Sequence, residues 1–233
     1  MMERYALYFA PAPDSDLGQF GAAWLGRDAF SGEAVPRDDL DDEAPLQGYR
    51  LDEITRSPRH YGFHATLKAP FALAPGSSRA ELIEALDAFA ARTKAFEAPA
   101  LELASLHGFT AFILSAPCAD MDALAAACVR DFDRFRAPMT EADRARRQPE
   151  RLTDRQRAQL DAWGYPHVFE DFLFHMTLSE RLSDPEEIAA VHEMLEPVAS
   201  VFGTTGLSVD ALCLFHQRDR DAPFTVAHRA PLA

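Results

Sequence analysis

Hydrophobic and polar residues along this chain fall into a sequence of short periodic segments that occurs twice. Arg4 to Ala10 alternates as a strand does, and Asp16 to Arg27 places Phe20, Ala23 and Trp24 on one helical side. A polar, Pro-containing stretch from Ser31 to Pro58 reads as a loop leading into a strand that Pro70 and the Pro75-Gly76 turn close off. Ser78 to Thr93 has a helix N-cap Ser, Glu81 three residues on, and Leu82, Leu86 and Phe89 at helical spacing. Leu101 to Leu106 and Phe109 to Leu114 follow as two strands joined at His107-Gly108, a hairpin signal.

The second half repeats that plan. Phe172 to Leu178 reads as a strand, Asp184-Pro185-Glu186-Glu187 opens a helix running to about Phe202, and Leu207 to Phe215 and Phe224 to His228 form a strand pair around the polar turn Gln217 to Ala222. Between the copies, Asp120 to Arg136 and Thr153 to Trp163 read as helices. The pattern predicts a duplicated strand-helix-strand-strand unit whose copies meet through equivalent faces, and the length of 233 residues suits one large domain or two intimately packed lobes equally well. The first motif unit spans about 58–116, a helical arginine-rich connector about 119–165, and the second motif unit about 169–231.

Each unit carries the same pentapeptide pattern, Phe63-His64-Ala65-Thr66-Leu67 and Phe174-His175-Met176-Thr177-Leu178. Successive side chains of a strand point to opposite faces, so each copy turns an imidazole and a hydroxyl one way and Phe, the middle residue and Leu the other. Two such strands can offer two His-Thr pairs to one cleft from an apolar anchor. Nearby, Arg59 and Arg181 flank the two strands as candidate anion contacts, and Lys68 continues the face of His64 and Thr66. Tyr61 falls on the opposite face of a regular strand unless Gly62 bends the chain. His60 and His64 at spacing four would suit a metal on a helix, but Pro58 before them and the strand pattern after them argue against one, and no third ligand has motif spacing, so no metal or other cofactor is called for. His107, His192, His216 and His228 read as structural or surface residues.

Composition narrows the class. With 48% hydrophobic residues and 17 Phe the chain can bury a sizeable core, while its longest apolar runs are far too short to span a bilayer. The start enters a strand pattern directly, without a signal peptide, and cytoplasmic location with no membrane association is the expectation. Cys118, Cys128 and Cys213 are odd in number and set among apolar neighbours, which fits reduced core thiols. A net charge of -14 argues against binding long nucleic acid through the overall field. That charge is uneven: Asp38 to Glu43 is an acidic loop, whereas the stretch from Arg130 to Arg157 holds nine arginines against six acids, either a solvated helical face or an anion-gathering lid.

The paired motifs resemble those of the two-histidine (2H) phosphoesterases, and the resemblance implies an α+β fold: a single bilobal domain over 1–233 with two antiparallel sheets flanked by helices around a central cleft, one motif per lobe. The wider strings Pro58-Arg59-His60-Tyr61-Gly62-Phe63-His64-Ala65-Thr66-Leu67-Lys68-Ala69-Pro70-Phe71 and Trp163-Gly164-Tyr165-Pro166 look like the branch named for its occurrence beside genes for phosphonate breakdown by carbon-phosphorus lyase. The resemblance implies a metal-independent phosphodiesterase acting on a small cyclic phosphate or phosphate ester, with His64, Thr66, His175 and Thr177 as its catalytic residues. Near neutral pH an imidazole can serve as base or acid, and a hydroxyl can hold charge on a non-bridging oxygen. Two other functions fit the same motifs: RNA 2',3'-cyclic phosphate processing or 2'-5' ligation, and a non-catalytic module that binds a phosphate ligand. The sequence leaves open which His is base, the exact substrate and the oligomeric state.

Overall fold

A computed structural model describes residues 3–37 and 48–233; the acidic loop read at Asp38 to Glu43 lies outside the described residues. In chain order the elements are β1 (Arg4–Phe9), α1 (Asp16–Leu25), α2 (Gly48–Ile54), α3 (Arg56–Tyr61), β2 (Ala65–Phe71), α4 (Arg79–Ala90), β3 (Phe96–Ala98), β4 (Leu101–Leu106), β5 (Phe109–Leu114), α5 (Ala119–Asp131), α6 (Glu141–Arg146), α7 (Asp154–Trp163), β6 (His175–Thr177), α8 (Pro185–Phe202), β7 (Leu207–Val209), β8 (Ala211–Gln217) and β9 (Thr225–Pro231). The fold is α+β with two antiparallel sheets. Seven strands run in the order β4-β5-β6-β2-β1-β8-β9, and β3 pairs with β7 as a separate ribbon.

Strand order shows how the two units are joined. Unit one runs β2-α4-β3-β4-β5 and unit two β6-α8-β7-β8-β9, yet each unit's hairpin lies on the other unit's side of the sheet, directly against the motif strand in one case and across β1 in the other. β5 pairs with β6, while β8 reaches β2 through β1. At the centre β2 meets β6 in an antiparallel pair, Ala65 opposite Met176, the middle residues of the two motifs. Equivalent residues facing each other in this way place a pseudo-two-fold axis between the His-Thr pairs.

Pleating assigns the faces. Phe63, Ala65, Leu67, Phe174, Met176 and Leu178 are buried in the main core with Leu82 and Leu86 of α4, Met121 of α5 and Val191 of α8. His64, Thr66, His175 and Thr177 therefore share the opposite face of the sheet. β1 is buried on both sides, with Leu7 and Phe9 in the main core and Ala6 and Tyr8 in a smaller cluster with Phe215 and Phe224. The three cysteines are free.

Local chemistry explains most boundaries. The Ser78 side chain and Glu81 form a reciprocal capping box on α4, as do Thr153 and Gln156 on α7. The sequence pattern missed α2 and α3 inside the expected loop. Pro58 is the third residue of α3, where an N–H has no intrahelical acceptor to lose, so it is compatible with the helix and does not break it. The second motif strand is shorter than its hydrophobic run: β6 holds three residues, and the chain approaches it through a 3-10 turn at Phe169–Asp171 that opens with Phe169 at φ 53°. The expected single strand Leu207 to Phe215 is two, interrupted at Asp210, which anchors Arg229.

One glycine fixes the approach to the first motif. A β-carbon on Gly21 of α1 would fall 2.0 Å from the Phe63 ring, the residue preceding His64. Gly21→Ala is expected to destabilise the fold by about 1–3 kcal/mol through this overpacking. Urea unfolding followed by circular dichroism measures it, and an unchanged midpoint would mean that Phe63 is not held against α1.

Candidate active site

β2 and β6 bring both motifs to one cavity of about 330 Å³, lined by His64, Thr66, His175 and Thr177 together with Tyr61 and Arg181 from the sequence candidates. The two imidazoles are held alike. The Nδ1 of His64 lies 2.8 Å from the carbonyl oxygen of Gly62, and that of His175 lies 2.8 Å from the carbonyl oxygen of Leu173. A carbonyl can only accept, so each Nδ1 carries the proton and each Nε2 is left unprotonated in the neutral ring. Thr66 Oγ1 sits 3.3 Å from His64 Nε2.

The surroundings of the two rings differ. His64 stacks on Tyr8, with centroids 3.8 Å apart and planes 22° apart, and Phe215 closes another side at 5.8 Å. Burial, with smaller contributions from the nearby His175 and Arg27, outweighs the raising effect of the Gly62 carbonyl and lowers the His64 pKa to about 4. His175, beside Phe109 at 5.8 Å, is also lowered by burial and partly restored by its own carbonyl contact. Both rings are therefore neutral at pH 7.

Tyr61 enters the site because Gly62 does turn the chain. At φ 82° Gly62 ends α3, and the reversal stacks Tyr61 on Phe224 at 5.3 Å and brings it to 6.3 Å from the His64 ring. Arg181 lies exposed at the rim beside Glu180, whose carboxylate accepts from the Ser57 N–H.

Two candidates fall elsewhere. Lys68 is 3% exposed and donates to the Val129 carbonyl and to Asp133, each at 3.1 Å. The reason is a β-bulge: Tyr8 pairs with Thr66 but Leu7 with Lys68, so one extra residue in β2 turns Lys68 to the core face. Arg59 also points away, donating from Nε to the Leu25 carbonyl at 2.7 Å and forming an ion pair with Asp52. His60 belongs to α3 and contacts the Gln217 amide at 2.9 Å, not His64. Among the described residues no three His, Cys, Asp or Glu side chains cluster as a metal site.

Arg4, Tyr8 and Tyr165 line the cavity without having been singled out from the sequence, and Arg147, one of the nine connector arginines, lines it too. Arg4 and Tyr8 share a face of β1 by the period of two, which was a usable signal once β1 was known to border β2. The guanidinium of Arg147 lies over the Tyr165 ring at 5.0 Å. Burial raises the pKa of both Tyr8 and Tyr165, so their hydroxyls stay protonated near neutral pH. The connector arginines thus divide: Arg147 reaches the cavity, whereas Arg144 pairs with Asp161 at 2.8 Å on the exposed side.

The family described as "Protein of unknown function (DUF1045)" matches residues 66–225. The chain belongs to the DUF1045 family. It is 37% identical over 235 residues to a protein of Janthinobacterium sp. (strain Marseille) named "Ribose 1,5-bisphosphate phosphokinase PhnN", covering 100% of this chain and 51% of that protein. A protein of the same name from Laribacter hongkongensis (strain HLHK9) is 34% identical over 225 residues, 95% of this chain and 50% of the relative. This DUF1045 chain spans about half the length of these curated relatives. Among solved structures it is similar to E. coli LigT complexed with 3'-AMP, at TM-score 0.40 and 12% identity over 100% of this chain and 99% of the other. The same holds for E. coli LigT complexed with NADP+, at TM-score 0.40 and 14% identity over 100% and 98%. Among the described residues of this DUF1045 protein no helix is long and apolar enough to cross a membrane.

The imidazole environments make a prediction about pH. His64 is depressed in the folded state to about 4 from an ordinary 6.5, so over that window the unfolded chain binds a proton that the folded chain does not. His64 therefore favours folding fully above 6.5, and this contribution falls away as pH drops toward 4. NMR titration of the His64 ring is expected to give a midpoint near 4, with His64→Gln flattening the loss of stability across the same window. A midpoint at or above 6.5 would contradict the burial described here.

Proposed function

We propose that the chain is a metal-independent phosphodiesterase of the two-histidine kind, hydrolysing a small cyclic phosphate or phosphate ester. The observation that supports it best is the pairing itself: two imidazoles with the same Nδ1-to-carbonyl lock, each with a motif threonine, line one cavity about a pseudo-two-fold axis. Binding alone requires no matched acid and base.

In this reading His64, the more desolvated ring, enters neutral and takes a proton from water as the water oxygen attacks phosphorus. The bound ester's negative charge draws a proton onto His175, countering the burial that otherwise holds the ring neutral. As the phosphorus–oxygen bond to the leaving group breaks, His175 gives that proton to the departing alkoxide. Water's proton ends on His64 and its oxygen on phosphorus. Thr66, Thr177 and the protonated hydroxyls of Tyr8 and Tyr165 donate to the non-bridging oxygens, and Arg4, Arg147 and Arg181 supply positive charge.

A link to phosphonate metabolism follows the branch resemblance and agrees with the PhnN name of the curated relatives. The kinase activity in that name belongs to proteins about twice as long and is not carried over. This sequence has no Gly-x-x-x-x-Gly-Lys-Ser/Thr segment to cradle a nucleoside triphosphate.

The test is turnover of a nucleoside 2',3'-cyclic phosphate in the presence of chelator. His64→Ala and His175→Ala are each expected to lower kcat/KM by roughly 10²- to 10⁴-fold, with the double variant no worse than about the weaker single one. Thr66→Val or Thr177→Val should cost roughly 10²-fold. The reading fails if both histidine variants keep full activity once their folding is verified.

Protonation supplies a second check. One ring must be neutral and the other charged, yet both are depressed in the free protein, so kcat/KM should peak on the acid side of the ordinary imidazole value of 6.5. The kcat profile should sit higher, because bound phosphate raises the acid's pKa. A kcat/KM maximum above pH 8 would fit neither ring (ordinary imidazole pKa about 6.5).

A further inference from the structure

Beside the His-Thr cavity lies a second one of about 220 Å³, and the two share Arg4, Tyr61, Pro70 and Arg147 as common wall. Its lining is unusually basic for a chain of net charge -14: Arg4, Arg136, Arg146, Arg147 and Arg220 surround a single carboxylate, Asp143. That carboxylate is shared, pairing with Arg146 at 3.1 Å and also with Arg220. Arg136 is balanced from behind by Asp133 at 2.7 Å. Arg4 donates to the neutral Gln217 side-chain oxygen, and Arg147 lies on the Tyr165 ring. Five guanidinium groups thus meet two carboxylates, one of which, Asp133, is also shared with Lys68, so positive charge is in surplus here.

Assembling like charges is costly without an anion to meet them. The Arg4 guanidinium is already lowered from its ordinary pKa by burial and by Arg220 and Arg147 nearby. A phosphate monoester relieves that repulsion and accepts the forked donors of arginine in pairs. Because Arg4 and Arg147 belong to both cavities, the anion that fills the second one can be part of the molecule whose ester lies between the histidines.

We propose that the Arg146–Arg220 cavity is a phosphate subsite, and that the substrate is a small ester carrying two separate phosphoryl groups: a reacting phosphodiester between the histidines and a terminal phosphate monoester held here. This rests on the phosphodiesterase reading and deepens it by naming the substrate class. A longer polyanion is disfavoured, since beyond this pocket the chain's net charge is strongly negative.

The experiment compares a nucleoside 2',3'-cyclic phosphate with the same compound bearing a 5'-phosphate, by calorimetric affinity and by kcat/KM, in the wild-type chain and in R146Q/R220Q. The 5'-phosphate is expected to improve both quantities at least tenfold in the wild type, and the double substitution to erase most of that ratio. The wild-type ratio should also shrink between roughly 0.05 and 0.5 M salt, a readout that stands if the double variant fails to fold. Equal handling of the two compounds, or a ratio that survives both the substitutions and salt, overturns the subsite. Stronger preference for an oligonucleotide with the same cyclic end overturns the substrate class. Turnover without the preference removes the subsite and leaves the hydrolytic reading standing. Arginine-dependent binding of the 5'-phosphorylated compound without any turnover keeps the subsite and removes the hydrolysis.

Discussion

One antiparallel contact, Ala65 opposite Met176, joins the two units where their motif strands meet, and the site depends on it. Because the two residues hold the same place in the repeated pentapeptide, the pairing orients each His-Thr pair toward the other across a local two-fold. A slip of one residue in either strand would send that strand's histidine to the core face and its flanking apolar residues to the cavity, which the burial of Phe63 and Leu67 in one copy and Phe174 and Leu178 in the other makes very costly. The exchange of hairpins between units reinforces this register, since β6 is held by the first unit's β5 and β2 by the β1–β8 pair. The core fixes the register, and the register fixes the chemistry.

Symmetry ends at the side chains around the motifs. Tyr8 and Phe215 press on His64, whereas His175 meets Phe109 nearer an exposed edge. Two rings with one backbone lock therefore acquire different proton affinities from different neighbours. In the mechanism proposed above that difference assigns the paired groups unlike roles, and the arginines add a further asymmetry by gathering on one flank.

Much of this was legible in the residues because the informative patterns are local. Period-two alternation around each motif, the Ser78–Glu81 cap and the His107-Gly108 hairpin each depend on neighbours within a few positions. What escaped was set by tertiary pairing. The bulge that buries Lys68 arises from a mismatch with β1 and leaves no mark in the β2 pattern. Arg59 is drawn off by Asp52 and the end of α1, partners that spacing does not reveal. Tyr8 joins the site only through β1–β2 pairing and Tyr165 only through the fold of the connector, which also decides that Arg147, among the arginines read as face or lid, is the one that reaches the cavity. The bend at Gly62 lay between: its possibility was readable, and its left-handed φ of 82° carries it out.

The central claim is that His64 and His175 act on one phosphoryl group from opposite sides. Its most direct measurement is ¹⁵N NMR of the two Nε2 atoms during titration with a nucleoside vanadate, a stable mimic of five-coordinate phosphorus. The account predicts that both resonances move together and saturate at one equivalent of ligand, with both Nδ1 signals remaining those of protonated nitrogens bonded to carbonyls. Movement of only one ring, or saturation at two independent equivalents, would contradict it.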